Sequence, residues 1–224
     1  MEFRKNENLC LSYVTLRRAI GVLGMLLPLL CVAGGAAFMG LGVGRSISYY
    51  YHTNMREFFT GILAIVCAIL ATYRGYDERD AIVGKLAAFF CFGIVAYPCL
   101  ESAESSGPAG LFQVEAAIAG RLHLASALAF FAVMALNSIF LFTRSDKDKG
   151  KRGKEKDARN RIYVGCGAAM FAVMALLLAA FAALGKEGVE RHKLVLYAEA
   201  AMLLSFGISW LVKGETLYRD AAGA

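Results

Sequence analysis

Six long apolar runs constrain this chain more than any other feature of its sequence. They cover about residues 19–41, 53–73, 81–100, 122–143, 162–185 and 194–212. A helix needs roughly 20 mainly apolar residues to cross about 30 Å of hydrocarbon, whereas a transmembrane β-strand needs only about 10. None of the runs alternates with a period of two. The sequence therefore predicts an all-α bundle of six transmembrane helices, with residues 1–224 forming one integral membrane domain.

The composition supports the same class. Of 224 residues, 58% are hydrophobic and 19% are charged, whereas soluble domains average about 45–50% and about 25%. A soluble globule of this length could not cover so much apolar surface with polar groups. This composition excludes a soluble enzyme, a disordered protein and a small disulfide-stapled domain.

The distribution of lysine and arginine predicts the orientation. If the N-terminus is cytoplasmic, 18 of the 24 basic residues fall on the cytoplasmic side, nine of them in the loop 144–161. The positive-inside rule then places both termini in the cytoplasm. The loop also carries four acidic residues and no aromatic side chain. We therefore expect it to contact anionic lipid head groups and not nucleic acid.

Polar residues inside an apolar run are the most informative for function. Glu199 lies six residues past Lys193, roughly 9 Å inside the outer boundary at about 1.5 Å per residue. A carboxylate at that depth must be paired, protonated or exposed to a wet cavity. The cysteines of the apolar runs, among them Cys67 and Cys91, show no C-x-x-C spacing and are expected to act as small packing residues.

The three histidines form a second signal. His52, His123 and His192 all lie at predicted outer helix ends. His192 and Glu199 are seven residues apart, so one continuous helix would place them on the same face. His123 shares a face with Ser126, which indicates the side of its helix that is turned toward the bundle.

The segment 45–57 between the first two helices is the third signal. If helix 2 begins near Tyr49, then Tyr49, His52 and Arg56 line one face. Arg56 would then pair with Glu199 or bind an anionic head group. Together these signals predict one polar pocket at the outer leaflet, framed by helices 2, 4 and 6. Its expected ligand-binding residues are Ser48, Tyr49, His52, Arg56, His123, His192 and Glu199.

Parts of the chain resemble a known group. The matching segments read Arg-Arg-Ala-Ile-Gly at 17–21, Ser-Ile-Ser-Tyr-Tyr-Tyr-His at 46–52, Tyr-Arg-Gly-Tyr at 73–76 and Tyr-Pro at 97–98. Over about residues 15–100 the chain resembles uncharacterised bacterial inner-membrane proteins with six predicted helices. This resemblance implies a multi-pass protein of the bacterial cytoplasmic membrane. It implies no activity.

A looser likeness is to the CREST-type membrane hydrolases, which combine a serine, an aspartate and three histidines around zinc. Ser46 or Ser48 and the three histidines echo that set. The chain departs from it in having six helices, no H-x-x-x-H pair and no intramembrane aspartate on the outer side. Zinc needs three or four ligands, and His52, His123 and His192 with Glu199 or a water could supply them.

Three functions are compatible with these residues. The first is a non-catalytic protein that binds a membrane lipid or another small ligand, with Arg56 holding an anionic group. The second is a metal-dependent lipid hydrolase in which the histidines hold zinc and Glu199 acts as the base. The third is a structural subunit of a homo-oligomer or a larger membrane complex. The loop 100–121, with a possible helix from Leu111 and with Glu115, could cover the pocket.

Overall fold

The computed structural model describes residues 12–40, 42–75, 77–101, 106–144 and 154–216. Within them lie six α-helices, numbered in chain order: α1 (Tyr13–Met39), α2 (Arg56–Thr72), α3 (Glu78–Ala96), α4 (Ala116–Leu136), α5 (Lys154–Arg191) and α6 (Leu194–Lys213). A 3₁₀ helix (Ser48–His52) precedes α2 and a π-helical turn (Asn137–Leu141) extends α4. Two short antiparallel strands, β1 (Pro108–Ala109) and β2 (Val114–Glu115), precede α4. The predicted helical class and the six helices are confirmed.

Four of the helical segments are long and apolar enough to cross a membrane. They are Tyr13–Phe38, Ala116–Leu141, Lys154–Arg191 and Leu194–Lys213. By comparison, α2 has 17 residues, which span only about 26 Å, and α3 opens with the charged residues Glu78, Arg79 and Asp80. Length and composition therefore support a membrane protein with at least four candidate spans.

The helices pack as a closed ring. Each helix contacts the next along the chain, and α6 returns to pack along α1. The α1–α6 contact depends on two glycines, since a Cβ atom on Gly21 would lie 2.8 Å from the Gly207 oxygen and one on Gly207 would lie 2.8 Å from the Gly21 oxygen. The missing side chains allow the two backbones to approach closely. The ring encloses a buried core that includes Phe130, Phe206 and Trp210.

Several predicted helix bounds were wrong for local reasons. α1 begins at Tyr13, because the Ser12 hydroxyl caps it by accepting a hydrogen bond from the Thr15 N–H at 3.1 Å. α3 ends at Ala96, two residues before Pro98, which has no N–H to continue the helix. The predicted helix from Leu111 is instead a turn between the two strands. α5 extends to Arg191 but breaks at Gly185, whose φ is 64°.

The two ends of the bundle differ in charge. At one end Arg17, which is 4% exposed, donates to the Tyr73 hydroxyl at 2.9 Å, and Arg18 donates to the Gly214 oxygen at 2.7 Å. The Arg144 guanidinium pairs there with the Asp77 carboxylate at 2.6 Å. We call this the basic end and the opposite one the far end. Of the basic loop 144–161, residues 145–153 lie outside the described residues, as do 1–11 and 217–224.

Candidate functional site

The segment between α1 and α2 folds back over the far end of the bundle. The ring of Tyr50 is fully buried and lies against Gly35 of α1, where an added Cβ would be 2.7 Å from the ring. The Gly44 N–H donates to the Tyr50 hydroxyl at 3.2 Å. The Tyr49 N–H donates to the Ser46 hydroxyl at 2.9 Å. These contacts hold the segment against α1.

Glu199 of α6 holds the start of the 3₁₀ helix. Its Oε2 accepts hydrogen bonds from the Ile47 N–H at 2.5 Å and the Ser48 N–H at 3.2 Å, and its Oε1 accepts one from the Ser48 hydroxyl at 2.7 Å. Ile47, the residue at the N-cap position, has no polar side chain, so the N–H groups of Ile47 and Ser48 have no local acceptor, whereas Tyr49 has Ser46. A carboxylate from another helix supplies that cap, and its charge suits the positive end of a helix dipole.

Glu199 also forms part of the wall of a small cavity inside the ring. The cavity has a volume of about 30 Å³, room for about two water molecules. Apolar side chains form most of the remaining wall, and Glu199 is the one charged residue among the described residues that line it. The other lining residues are Leu27, Ile47, Ser48, Phe59, Leu63, Ile94, Ala127, Phe130, Phe131 and Leu203.

The hydrogen-bonding capacity of this carboxylate is not used up. A carboxylate offers about four lone-pair sites, and three are occupied by Ile47 and Ser48. Among the described residues no further donor reaches it, so Oε1 keeps one acceptor site, on a residue that lines the cavity. That site suits a small hydrogen-bond donor and repels an anion.

Arg56 is not part of this arrangement. The sequence predicted that it pairs with Glu199, but its side chain is exposed and its guanidinium lies over the Tyr51 ring, 4.9 Å from the centroid. The prediction that Tyr49, His52 and Arg56 share one helix face was also wrong. The 3₁₀ helix ends at His52, and α2 begins only at Arg56. Tyr49 instead contacts Arg45, whose guanidinium lies 5.3 Å from its ring centroid.

His52 and His123 both contact the segment that follows α3, at different carbonyl groups. The His52 Nε2–H donates to the Cys99 oxygen at 2.8 Å, and its Nδ1 lies 3.8 Å from the Glu101 carboxylate. The His123 Nδ1–H donates to the Tyr97 oxygen at 2.8 Å. The buried Nε2 of His123 has no hydrogen-bond partner among the described residues.

His192 lies apart from the others. It is exposed and sits in the turn between α5 and α6, where Lys193 has a φ of 51°. α6 begins only at Leu194, so the helical register that predicted a shared face with Glu199 does not reach His192. Glu115, which sequence analysis connected with the pocket, is exposed at the start of α4.

No group of three or more histidine, cysteine, aspartate or glutamate side chains that could hold a metal occurs among the described residues. Of the three histidines proposed as zinc ligands, His52 and His123 contact different backbone carbonyls, and His192 is exposed in a turn. The arrangement of the described residues therefore does not support His52, His123 and His192 as ligands of one metal. It also does not support Glu199 as a base next to such a metal.

Cys99 also belongs to the site, although it was not among the residues predicted from the sequence. Its thiol donates to the Ser48 oxygen at 3.1 Å, in the same 3₁₀ helix that Glu199 caps. Burial, and secondarily the charge of Glu199, raise the pKa of the Cys99 thiol to about 12. The thiol therefore stays protonated and remains a donor at neutral pH. The Tyr97-Pro98 pair just before it was the one available signal, because proline marks the end of α3.

Comparisons with known proteins identify no relative. No protein-family model, no curated protein and no solved structure matches the chain. The class that the fold defines is a helical membrane protein with a partly buried carboxylate at the far end of its helix ring.

Proposed function

We propose that this chain is a non-catalytic integral membrane protein of a bacterial inner membrane, and that it binds a membrane lipid or another small ligand at Glu199. In this proposal all six helices cross the membrane and the basic end is cytoplasmic. Support for the orientation comes from the 18 basic residues that this topology assigns to the cytoplasmic side.

The observation that carries the proposal is the placement of Glu199. A carboxylate is expensive in a membrane interior and is retained where it has a structural or functional partner. Capping the 3₁₀ helix uses three of its acceptor sites and leaves the fourth unused, and Glu199 lines a cavity whose other lining residues are apolar apart from Ser48. A cap alone would not require a cavity beside it.

The same geometry defines the ligand chemistry. The sequence-based hypothesis of an anion held by Arg56 does not fit the cavity, since Arg56 is exposed and Glu199 would repel an anion. The group that enters must donate a hydrogen bond and must be no larger than about two waters. An ammonium or hydroxyl group at the end of a lipid head group, or of a small soluble molecule, satisfies both conditions.

Native mass spectrometry of the full-length protein tests this proposal. The protein is placed in phosphatidylcholine nanodiscs that contain either phosphatidylethanolamine or phosphatidylglycerol. We expect retained phosphatidylethanolamine, or a co-purified soluble amine or alcohol, in the wild type and in Arg56→Ala, and its loss in Glu199→Gln. Glu199→Gln keeps the size of the side chain and changes its charge.

Two outcomes would overturn the proposal. One is an equal amount of bound ligand in the wild type and in Glu199→Gln. The other is selective retention of phosphatidylglycerol that is lost in Arg56→Ala, which would place the ligand at the exposed arginine. Ser205→Ala serves as the control, because among the described residues Ser205 bonds within α6, to the Ala201 oxygen at 2.9 Å.

A further inference from the structure

Two cysteines face each other across the contact between α2 and α3. Cys67 of α2 donates its thiol hydrogen to the Ala88 oxygen of α3 at 3.3 Å, and Cys91 of α3 donates to the Leu63 oxygen of α2 at 3.4 Å. Ala88 lies about one turn before Cys91 on α3, and Leu63 lies about one turn before Cys67 on α2. Each thiol therefore bonds to the partner helix about one turn before the cysteine of that helix. The two bonds are reciprocal and cross the same interface.

The geometry of antiparallel helices brings the two sulfur atoms together. Side chains on a helix lean toward its N-terminus, so Cys67 leans toward Leu63 and Cys91 leans toward Ala88. Both thiols therefore enter the space between these two pairs, where they contact each other. The backbones are close here, since a Cβ atom on Gly84, two turns along α3, would lie 2.9 Å from the Leu70 oxygen of α2.

We propose that Cys67 and Cys91 form an intramembrane redox pair that closes to a disulfide between α2 and α3. The oxidant is a lipid-soluble two-electron acceptor of the quinone class. Each thiol loses its hydrogen and one S–S bond forms. The two protons and two electrons pass to the quinone, which leaves as the quinol.

The surroundings of the pair favour an oxidant that dissolves in the membrane. Cys91 is fully buried, whereas Cys67 is partly exposed on the outside of the helix ring. The Phe92 backbone of α3 lies beside the Cys67 thiol, and its side chain is apolar and exposed, as are those of Ile65 and Phe89 on the same two helices. A reagent that reaches the Cys67 sulfur from this side meets apolar side chains, so a quinone has access that a charged disulfide such as glutathione lacks.

Closure of the disulfide also affects the cavity described above. Leu63, whose carbonyl accepts the Cys91 hydrogen bond, lines the cavity together with Ile94 of α3. A covalent link between the helices fixes the distance between these two walls. This consequence rests on the proposed function, and so does the position of the pair inside the membrane, because that proposal has α2 and α3 cross it; the disulfide test in micelles needs neither.

The test uses the purified full-length protein in micelles and a fully substituted benzoquinone, to which thiols cannot add. After incubation the remaining thiols are alkylated, and the digested protein is analysed by mass spectrometry while the quinol is measured by absorbance. We expect a peptide pair joined through Cys67 and Cys91 and one quinol for each disulfide. Neither product should form in Cys67→Ser or in Cys91→Ser.

Cys166→Ser is the matched control, because Cys166 is also a partly buried thiol, on α5. This variant should form the disulfide and the quinol as the wild type does. Size-exclusion chromatography establishes that each variant is folded. The proposal is overturned if folded wild-type protein keeps both thiols alkylatable and yields no more quinol than Cys67→Ser. It is also overturned if the disulfides formed join other cysteines. Neither result depends on ligand binding at Glu199.

Discussion

Replacing Glu199 by alanine should destabilise the far end of the bundle more than any single change to the predicted histidines. The substitution leaves the N–H groups of Ile47 and Ser48 without their acceptor in a buried position, since Ile47 is 2% and Ser48 is 8% exposed. Each buried donor left unsatisfied costs about 1–3 kcal/mol. The two N–H groups together therefore predict a loss of about 2–6 kcal/mol in the free energy of unfolding.

Glu199→Gln separates the hydrogen bonds from the charge. The amide oxygen can accept from both N–H groups, and the amide NH₂ can donate to the Ser48 hydroxyl, which then acts as an acceptor. We therefore expect this variant to be more stable than Glu199→Ala by about 2 kcal/mol or more. Ser48→Ala removes only the hydroxyl bond of 2.7 Å and should fall between the wild type and Glu199→Ala.

The assay is reversible unfolding by a denaturing detergent in mixed micelles, followed by circular dichroism. Ser205→Ala, with its bond within α6, is the control and should lie within about 0.5 kcal/mol of the wild type. The reasoning is refuted if Glu199→Ala is as stable as Ser205→Ala, or if the alanine and glutamine variants unfold at the same detergent fraction.

Three further predictions concern other parts of the fold. Gly207→Ala should lower the free energy of unfolding by about 1–3 kcal/mol, because the added Cβ would lie 2.8 Å from the Gly21 oxygen. Gly165→Ala should not lower it, because the space around Gly165 is open. Thermal unfolding of the two variants tests the difference. Arg56→Ala should change stability by about 1 kcal/mol or less, since only an exposed cation–π contact is lost; an equal loss in Glu199→Ala and Arg56→Ala contradicts this. The hydrogen bond from Arg144 lowers the pKa of the Asp77 carboxyl below its ordinary value of 3.8. The stabilisation by this ion pair is therefore present above pH 3.8 and is lost as the pH falls through the folded-state pKa. In a pH series of melting temperatures, Asp77→Asn should remove this loss of stability in acid.

The helices were predictable because each apolar run is long enough to be read without tertiary information. The first and last residues of the helices were harder to predict, because local capping and helix-ending residues decide them. The Ser12 cap and Pro98 are visible in the sequence and explain where α1 begins and α3 ends. The 3₁₀ helix at Ser48–His52 was not predictable, since its cap comes from α6, 152 residues from Ile47.

The candidate site was predictable in part. Glu199 was identified because a carboxylate within an apolar run requires a partner, but its partners are mainly backbone N–H groups, which no side-chain pattern reports. Position at an outer helix end does not decide where a histidine side chain points. His52 and His123 turn toward carbonyls at the end of α3, while His192 is exposed in a turn.

A crystal structure of the protein grown in a lipid phase tests the central claim most directly, because it shows what occupies the cavity beside Glu199. We predict non-protein density that enters the cavity and places a donor within about 3 Å of Glu199 Oε1, continuous with an elongated lipid or a small organic molecule. A cavity that holds only water in the wild type, with the same density in Glu199→Gln, would contradict the account.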